Sequence, residues 1–154
     1  MDTEERLNAL ADAIIGAAMA VHSELGPGLL EPAYETCLAI ELEEQGLVVE
    51  RQKTLPLTYH GVELEFGYRL DLLVNGSVVV EVKAVEALAP IHGAQLLSYL
   101  RLSGCRVGLL LNFNVASLRD GIQRVVNAFP GVDSSSVSSA PSAFRAVASP
   151  KEDE

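Results

Sequence analysis

The sequence predicts one α/β domain, with a four-stranded mixed sheet flanked by helices in the order α-α-β-β-β-α-β-α. Three observations support this class. Apolar residues recur at three- and four-residue spacing in four segments, as in amphipathic helices, and they alternate in steps of two between residues 48 and 83, as in strands. A nearly continuous apolar run at residues 106–113 indicates a further strand, buried on both faces. The length of 154 residues suits a single domain with a hydrophobic core.

The periodic segments predict helices at residues 3–25, 30–46, 92–102 and 117–128. Gly26-Pro27-Gly28 ends the first helix, because proline lacks an amide donor and glycine favours turns. Gly46 is well placed to cap the second helix at its C-terminus.

The alternating segments predict strands at residues 48–59, 62–74 and 78–83. His60-Gly61 and Asn75-Gly76 are typical of the turns that join neighbouring strands. These three strands are therefore expected to form an antiparallel meander, and Arg106 to Phe113 should supply the fourth strand.

The folded domain is expected to occupy residues 1–130. Residues 131–154 are rich in Ser, Ala and Pro and end in acidic residues, which predicts a flexible tail. No stretch of about 18 apolar residues could span a bilayer, and the acidic N-terminus is unlike an export signal. We therefore expect a cytoplasmic protein with no membrane partner. Cys37 and Cys105 have no CxxC spacing and are expected to be buried free thiols.

The formal net charge of −10 argues against a simple nucleic-acid binder, because phosphate contacts rely on clusters of Lys and Arg. It does not exclude an enzyme, since a metal site concentrates carboxylates and part of the acidic excess lies at the chain ends. No Ser-His-Asp order, Gly-rich phosphate loop or zinc ligand set stands out.

Three charged residues interrupt the predicted core strands: Asp71, Glu81 and Lys83. Ionised groups are rare in such strands unless they are paired or bind metal, because desolvation is expensive. Glu81 and Lys83 are two residues apart and so point to the same face. A two-residue turn at Asn75-Gly76 would turn Asp71 to the opposite face, whereas a three-residue bulged loop at 75–77 would place it across from Glu81. We expect the bulged loop.

Carboxylates on adjacent strands supply the oxygen ligands that Mg²⁺ and Mn²⁺ prefer, and Lys83 is placed to act on water or on charge at phosphorus. The alternative is a surface ion-pair network of the three side chains on an exposed sheet face. The spacing alone does not separate these two interpretations.

The order of these motifs, an Asp followed on a hairpin by Glu-x-Lys, resembles the PD-(D/E)XK nuclease superfamily with its restriction-endonuclease-like core. Gln95-Leu96-Leu97-Ser98-Tyr99 is similar to the Gln-xxx-Tyr (QxxxY) helix motif of the RecB-like branch. Gly28-Leu29-Leu30-Glu31-Pro32-Ala33-Tyr34 resembles the Gly-xx-Glu-xx-Tyr signature of the prokaryotic GxxExxY proteins within that superfamily. The resemblance covers roughly Leu7 to Asn127.

The resemblance implies a site that holds Mg²⁺ or Mn²⁺, with Lys83 as the catalytic lysine. The implied ligands converge on one ion and are the carboxylates of Asp71, Glu81 and Glu31, with the backbone carbonyl of Val82 as an extra ligand. Glu31 fits the place of an acidic residue on the preceding helix, although a carboxylate at a helix start is also favoured by the helix dipole alone.

The resemblance further implies that Gln95 and Tyr99, four residues apart on one helix face, contact a substrate strand or brace Lys83. Tyr34 is expected to support Glu31 or to pack in the core. His22 is expected to approach the site or to act at the end of its helix.

The predicted function is metal-dependent hydrolysis of phosphodiester bonds in nucleic acid, with DNA favoured over RNA. One alternative is a catalytically weak or inactive nuclease-fold module that binds nucleic acid or protein. Another is a metal-dependent hydrolase of a different phosphate compound. A domain of this size has little room for sequence recognition, so specificity is expected to come from a partner protein or from homo-oligomerisation.

Overall fold

A mixed sheet and three helices make up the part of the chain that the computed structural model describes, residues 2–128 apart from the side chains of Glu65 and Phe66. The predicted tail at residues 131–154 lies outside the described residues. The helices are α1 (Thr3–Leu25), α2 (Glu31–Glu44) and α3 (Pro90–Ser103), and the strands are β1 (Val49–Tyr59), β2 (Val62–Val74), β3 (Val78–Lys83), β4 (Val107–Asn112) and β5 (Ile122–Val126). Within this range no helix combines the length and apolar character needed to cross a membrane.

The helix ends follow local chemistry. The Asp2 side chain accepts a hydrogen bond from the Glu5 N–H at 2.7 Å, and the Glu5 carboxylate accepts from the Asp2 N–H at 3.1 Å, which forms a capping box at the start of α1. Gly26, with a φ of +69°, ends that helix as predicted. The second and third predicted helices are confirmed, with ends displaced by one to two residues.

The sheet order is β1-β2-β3-β4-β5. Strands β1, β2 and β3 form the predicted antiparallel meander, and β4 runs parallel to β3, to which it is connected through α3. Val74 lies opposite Val78, so the connecting loop has three residues, Asn75 to Ser77, and the predicted register is confirmed. Asn75 and Gly76 both have positive φ, a conformation that Asn and Gly tolerate best.

The last predicted element is wrong. Residues 117–128 do not form a helix: a 3₁₀ turn at Leu118–Gly121 is followed by β5, and the sheet therefore has five strands rather than four among the described residues. Strand β4 is buried along its whole length, so its free edge needs backbone partners, and β5 supplies them by antiparallel pairing. Gly121 is required at the turn, because a Cβ there would collide with the backbone of Asn112.

Two hydrophobic layers cover the two faces of the sheet. Helices α1 and α2 pack on one face, and α3 packs on the other. The first layer includes the buried side chains of Ile14, Leu38, Leu72, Val80 and Leu109, and the second includes those of Leu73, Val79, Leu96, Leu100 and Leu110. Both cysteines are free thiols; Cys105 is buried as predicted, whereas Cys37 is only half-buried.

Candidate functional site

Asp71 and Glu81 lie together at the point where β2 and β3 stop pairing. Regular pairing ends with Leu72 opposite Val80. Immediately beyond it, the Asp71 N–H donates to Glu81 Oε2 at 3.0 Å, and the Val82 N–H donates to Asp71 Oδ2 at 2.8 Å. Each carboxylate therefore accepts a hydrogen bond from the backbone of the other strand, which fixes the two acidic groups beside each other.

The surroundings of this pair disfavour two negative charges. Glu81 is only 6% exposed. Burial, and then the neighbouring charge of Asp71, raise the pKa of Glu81 to about 8. Burial also raises the pKa of Asp71, against the lowering effect of the Val82 hydrogen bond. Ionisation of both carboxylates would therefore place two negative charges close together in a poorly solvated place, and a bound cation would offset them.

Lys83 is the positively charged member of the predicted site. It is half-buried at the end of β3, and its charge lowers the pKa of both Asp71 and Glu81. In the described part of the chain, the ion pairs join Arg51 to Glu35 and Lys53 to Glu50, and neither includes Lys83. Because Glu81 is buried and Lys83 is outside both pairs, the alternative of an exposed three-member ion-pair network is wrong.

Glu35 is a further acidic residue close to the pair, and it was not among the residues predicted for the site. This α2 residue is only 7% exposed, and its charge contributes to the raised pKa values of both Asp71 and Glu81. Its carboxylate accepts a hydrogen bond from Gln52 Nε2 at 2.8 Å, and Arg51 Nη2 lies 3.3 Å from its Oε2. The available signal was its position four residues after Glu31, which places both acids on the same side of the helix.

Glu31 occupies a different position. Its Oε2 accepts a hydrogen bond from the Ala84 N–H at 3.2 Å, just past the end of β3. Between residues 2 and 128, no group of three or more His, Cys, Asp or Glu side chains is arranged to hold a metal ion. The structure therefore does not bring Glu31 together with Asp71 and Glu81 as the expected three-carboxylate group, and its part in metal binding stays a prediction.

Tyr99, on α3, lies close to the acidic pair. Burial raises its pKa, and the charges of Glu81 and Asp71 raise it further. Its ring packs edge to face against Tyr68 of β2, with 5.3 Å between the ring centroids. Gln95, one turn earlier on α3, is exposed. Tyr68 was not among the residues predicted for the site, although an aromatic residue three positions before Asp71 was a usable signal.

Tyr34 is a packing residue, and it fixes the entry to α2. The side chain is fully buried and stacks on Phe113 with 4.6 Å between the ring centroids. Its hydroxyl donates to the Gly26 carbonyl at 2.6 Å and accepts from the Leu29 N–H at 3.0 Å. Tyr34 thus holds the glycine-rich turn from which α2 presents its acidic residues.

His22 is also structural. Its Nε2 lies 2.8 Å from the Val115 carbonyl, so the ring connects α1 to the segment after β4. Its approach to the carboxylates stays a prediction.

The donor set fits a hard divalent cation. Asp71 and Glu81 supply carboxylate oxygens from two strands, and Mg²⁺ typically binds through one or two carboxylates together with water and phosphate oxygens. The raised pKa values of Asp71 and Glu81 are expected for two neighbouring carboxylates that are partly removed from solvent, as metal ligands often are. Glu35 lies near enough for its charge to act on both carboxylates, although within residues 2–128 it does not form a three-carboxylate metal group with them. Lys83 adds a positive charge on the same strand as Glu81.

Comparison with known families agrees with this geometry. The model of the PD-(D/E)XK nuclease superfamily matches residues 8–125, which include the acidic pair, Lys83 and all five strands up to residue 125. No curated protein and no solved structure shows a significant match to the chain. The match covers most of the sequence, and the mixed sheet flanked by helices is consistent with the fold of the family. The chain belongs to the PD-(D/E)XK nuclease superfamily.

Proposed function

We propose that this protein is a nuclease that requires Mg²⁺ or Mn²⁺ and hydrolyses phosphodiester bonds, with Asp71 and Glu81 as metal ligands and Lys83 as the catalytic lysine. The observation that carries the proposal is the pair of neighbouring carboxylates at the point where β2 and β3 stop pairing, with Glu81 buried and Asp71 half-buried. Two like charges in such a place are destabilising unless a cation or a proton offsets them. Because the chain belongs to a superfamily of nucleases, a divalent cation is the expected partner of the two carboxylates.

Different residues have different roles in the proposed reaction. Asp71 and Glu81 hold the ion, and the Val82 carbonyl is a proposed extra ligand because the backbone of Val82 lies directly against Asp71. When bound, a divalent cation supplies Lewis-acid chemistry, which lowers the pKa of water and offsets negative charge on the phosphate. Lys83 stabilises the charge that develops on the phosphate oxygens as water attacks.

A third acidic side chain from α2 completes the proposed site. Glu31 is the candidate that the family resemblance implies, and Glu35 is the candidate that the electrostatics support, because its charge raises the pKa of both Asp71 and Glu81. Both side chains project from the same side of α2. We propose Glu35 as the stronger contributor and Glu31 as a group that acts near Lys83, through its contact with Ala84.

The proposed substrate is nucleic acid, with DNA favoured over RNA. Gln95 and Tyr99 are proposed to contact a substrate strand, and Tyr99 is the better supported of the two because it is close enough to the acidic pair for their charges to raise its pKa. The motifs around Gly28, Glu31 and Tyr34, together with Gln95 and Tyr99, support a place among the GxxExxY proteins and the RecB-like branch.

A second candidate function is a catalytically weak or inactive module that binds nucleic acid or protein. The net charge of −10 favours it, because an acidic chain gains little from phosphate contacts. In that case a partner protein would supply the basic surface for nucleic acid.

The decisive experiment combines cleavage with metal binding. Purified protein is incubated with single- and double-stranded DNA and RNA, with and without Mn²⁺, and Mn²⁺ binding is measured separately by titration calorimetry. Wild type is expected to bind Mn²⁺ and to cleave at least one substrate only when the ion is present. Glu81→Ala should lose both properties.

Glu86→Gln is a suitable control, because this glutamate is exposed and lies only five residues further along the chain. It should bind Mn²⁺ and cleave as wild type does. Mn²⁺ binding without cleavage of any of the four substrates would favour the second candidate. Mn²⁺ affinity that persists unchanged in Glu81→Ala would remove Glu81 from the metal site.

A further inference from the structure

Gln52 has a backbone conformation that sets it apart from its neighbours on β1. Its φ is +50°, in the left-handed region that residues other than glycine rarely adopt. The residues on either side keep regular pairing, with Arg51 opposite Leu72 and Lys53 opposite Leu70. The distortion is therefore confined to one residue, and that residue is the one across from Asp71.

The Gln52 side chain connects two acidic groups from different elements. Its Nε2 donates to Glu35 Oε1 on α2 at 2.8 Å and to Asp71 Oδ1 on β2 at 3.4 Å. Glu35 is also held from its other oxygen by Arg51, and Asp71 is held from its other oxygen by the Val82 N–H. Both carboxylates thus have one oxygen fixed by another group and one turned towards the same amide nitrogen.

We propose that Gln52 is a positioning residue for the metal site: its amide sets the orientation and separation of the Asp71 and Glu35 carboxylates so that they are ready for a divalent cation. This inference rests on the proposed function. Groups that hydrogen-bond to metal-binding carboxylates fix their orientation, and their loss typically weakens metal binding by about 10- to 100-fold. Backbone strain of this kind persists where the surrounding structure and the function require it.

The same hydrogen bonds are also compatible with the opposite effect, in which the Gln52 amide weakens metal binding. If the Gln52 amide forms its hydrogen bonds with the two carboxylates only when no ion is bound, it would compete with the cation. Removal of the amide would then increase the affinity for Mn²⁺. The direction of the change in Mn²⁺ affinity therefore separates a positioning role from a competing one.

Two substitutions test the inference. Gln52→Met keeps the length of the side chain but removes its hydrogen-bond donor, and the exposed position of Gln52 makes this change compatible with folding. Gln52→Gly removes the donor and also releases the left-handed backbone constraint. Mn²⁺ affinity is measured for each by calorimetry and by electron paramagnetic resonance of the bound ion, and folding is checked by circular dichroism.

His60→Gly is the matched control. His60 has a φ of +53° and lies exposed in the turn between β1 and β2, so the substitution relieves the same backbone constraint away from the carboxylates. The expected result is a Kd for Mn²⁺ about 10-fold higher or more in both Gln52 variants, and unchanged in His60→Gly.

Unchanged or tighter Mn²⁺ binding in Gln52→Met would overturn the positioning role while leaving the metal site intact. Absence of Mn²⁺ binding by wild type would instead overturn the proposed function, and the inference about Gln52 with it. Where Mn²⁺ binding is weakened, a spectrum of the bound ion that changes in both Gln52 variants and not in His60→Gly would support the positioning role, and an unchanged spectrum would count against it.

Discussion

Replacing Glu81 by Gln should remove a pH dependence of stability that the metal-free protein has between about pH 4.5 and pH 8. Burial and the charge of Asp71 raise the pKa of Glu81 from its ordinary value of 4.5 to about 8. In this interval the folded protein keeps a proton that the unfolded chain releases. The free energy of unfolding therefore falls as the pH rises, by about 1.4 kcal/mol for each pH unit. Across the whole interval the loss is on the order of 5 kcal/mol.

The assay is urea denaturation of metal-free protein, followed by circular dichroism at a series of pH values from 4.5 to 9. Wild type should lose stability steadily until about pH 8, whereas Glu81→Gln, which has no charge to ionise at this position, should lose much less. Glu86→Gln removes a carboxylate from an exposed site and should follow the wild-type curve.

A saturating concentration of Mn²⁺ should restore wild-type stability at high pH, because a cation that binds only the folded state stabilises it and also offsets the charge of both carboxylates. Parallel curves for metal-free wild type and Glu81→Gln would refute the reasoning. They would mean that Glu81 ionises as freely as a surface glutamate and is not buried in solution.

Three further predictions concern catalysis, metal binding and folding. Lys83→Met should fold and bind Mn²⁺ nearly as wild type but lose most of its turnover, because the lysine acts on the transition state; cleavage at the wild-type rate would remove it from the mechanism. Glu35→Gln should weaken Mn²⁺ binding in calorimetry more than Glu31→Gln, because Glu35 is the acid whose charge acts on the pair; the reverse order would restore the expected role of Glu31. Gly121→Ala should lower the free energy of unfolding by about 1–3 kcal/mol, because the new Cβ collides with the backbone at the end of β4. Gly16→Ala, at an open helix position, should instead be neutral or stabilising, and equal effects in urea denaturation would contradict the argument.

The sequence alone was sufficient for the first three strands and for the central pair of acids. Alternating apolar residues and the Asn75-Gly76 signal are local features, and local features set the ends of a hairpin. The register followed from one further requirement, that Asp71 and Glu81 share a face, because a slip of one residue would separate them. Charged residues inside an otherwise apolar strand then marked the site, since such groups need a chemical partner.

Tertiary structure alone decided the last element of the fold. Residues 117–128 contain apolar residues that fit a helical period, yet Ile122–Val126 forms β5. The deciding factor is the exposed edge of the buried strand β4, whose backbone groups require partners. That requirement comes from the position of β4 in the sheet. The sequence of residues 122–126 alone does not reveal it.

Tertiary structure also decided which polar residues surround the acidic pair. Glu31 and Glu35 lie four residues apart on one side of α2, so helical period cannot distinguish them, and only the packing of α2 on the sheet places Glu35 beside Asp71. Gln52 reaches Glu35 and Asp71 across 17 and 19 residues of chain, through a single backbone distortion. Contacts of this kind depend on the relative placement of three separate elements, which no local pattern encodes.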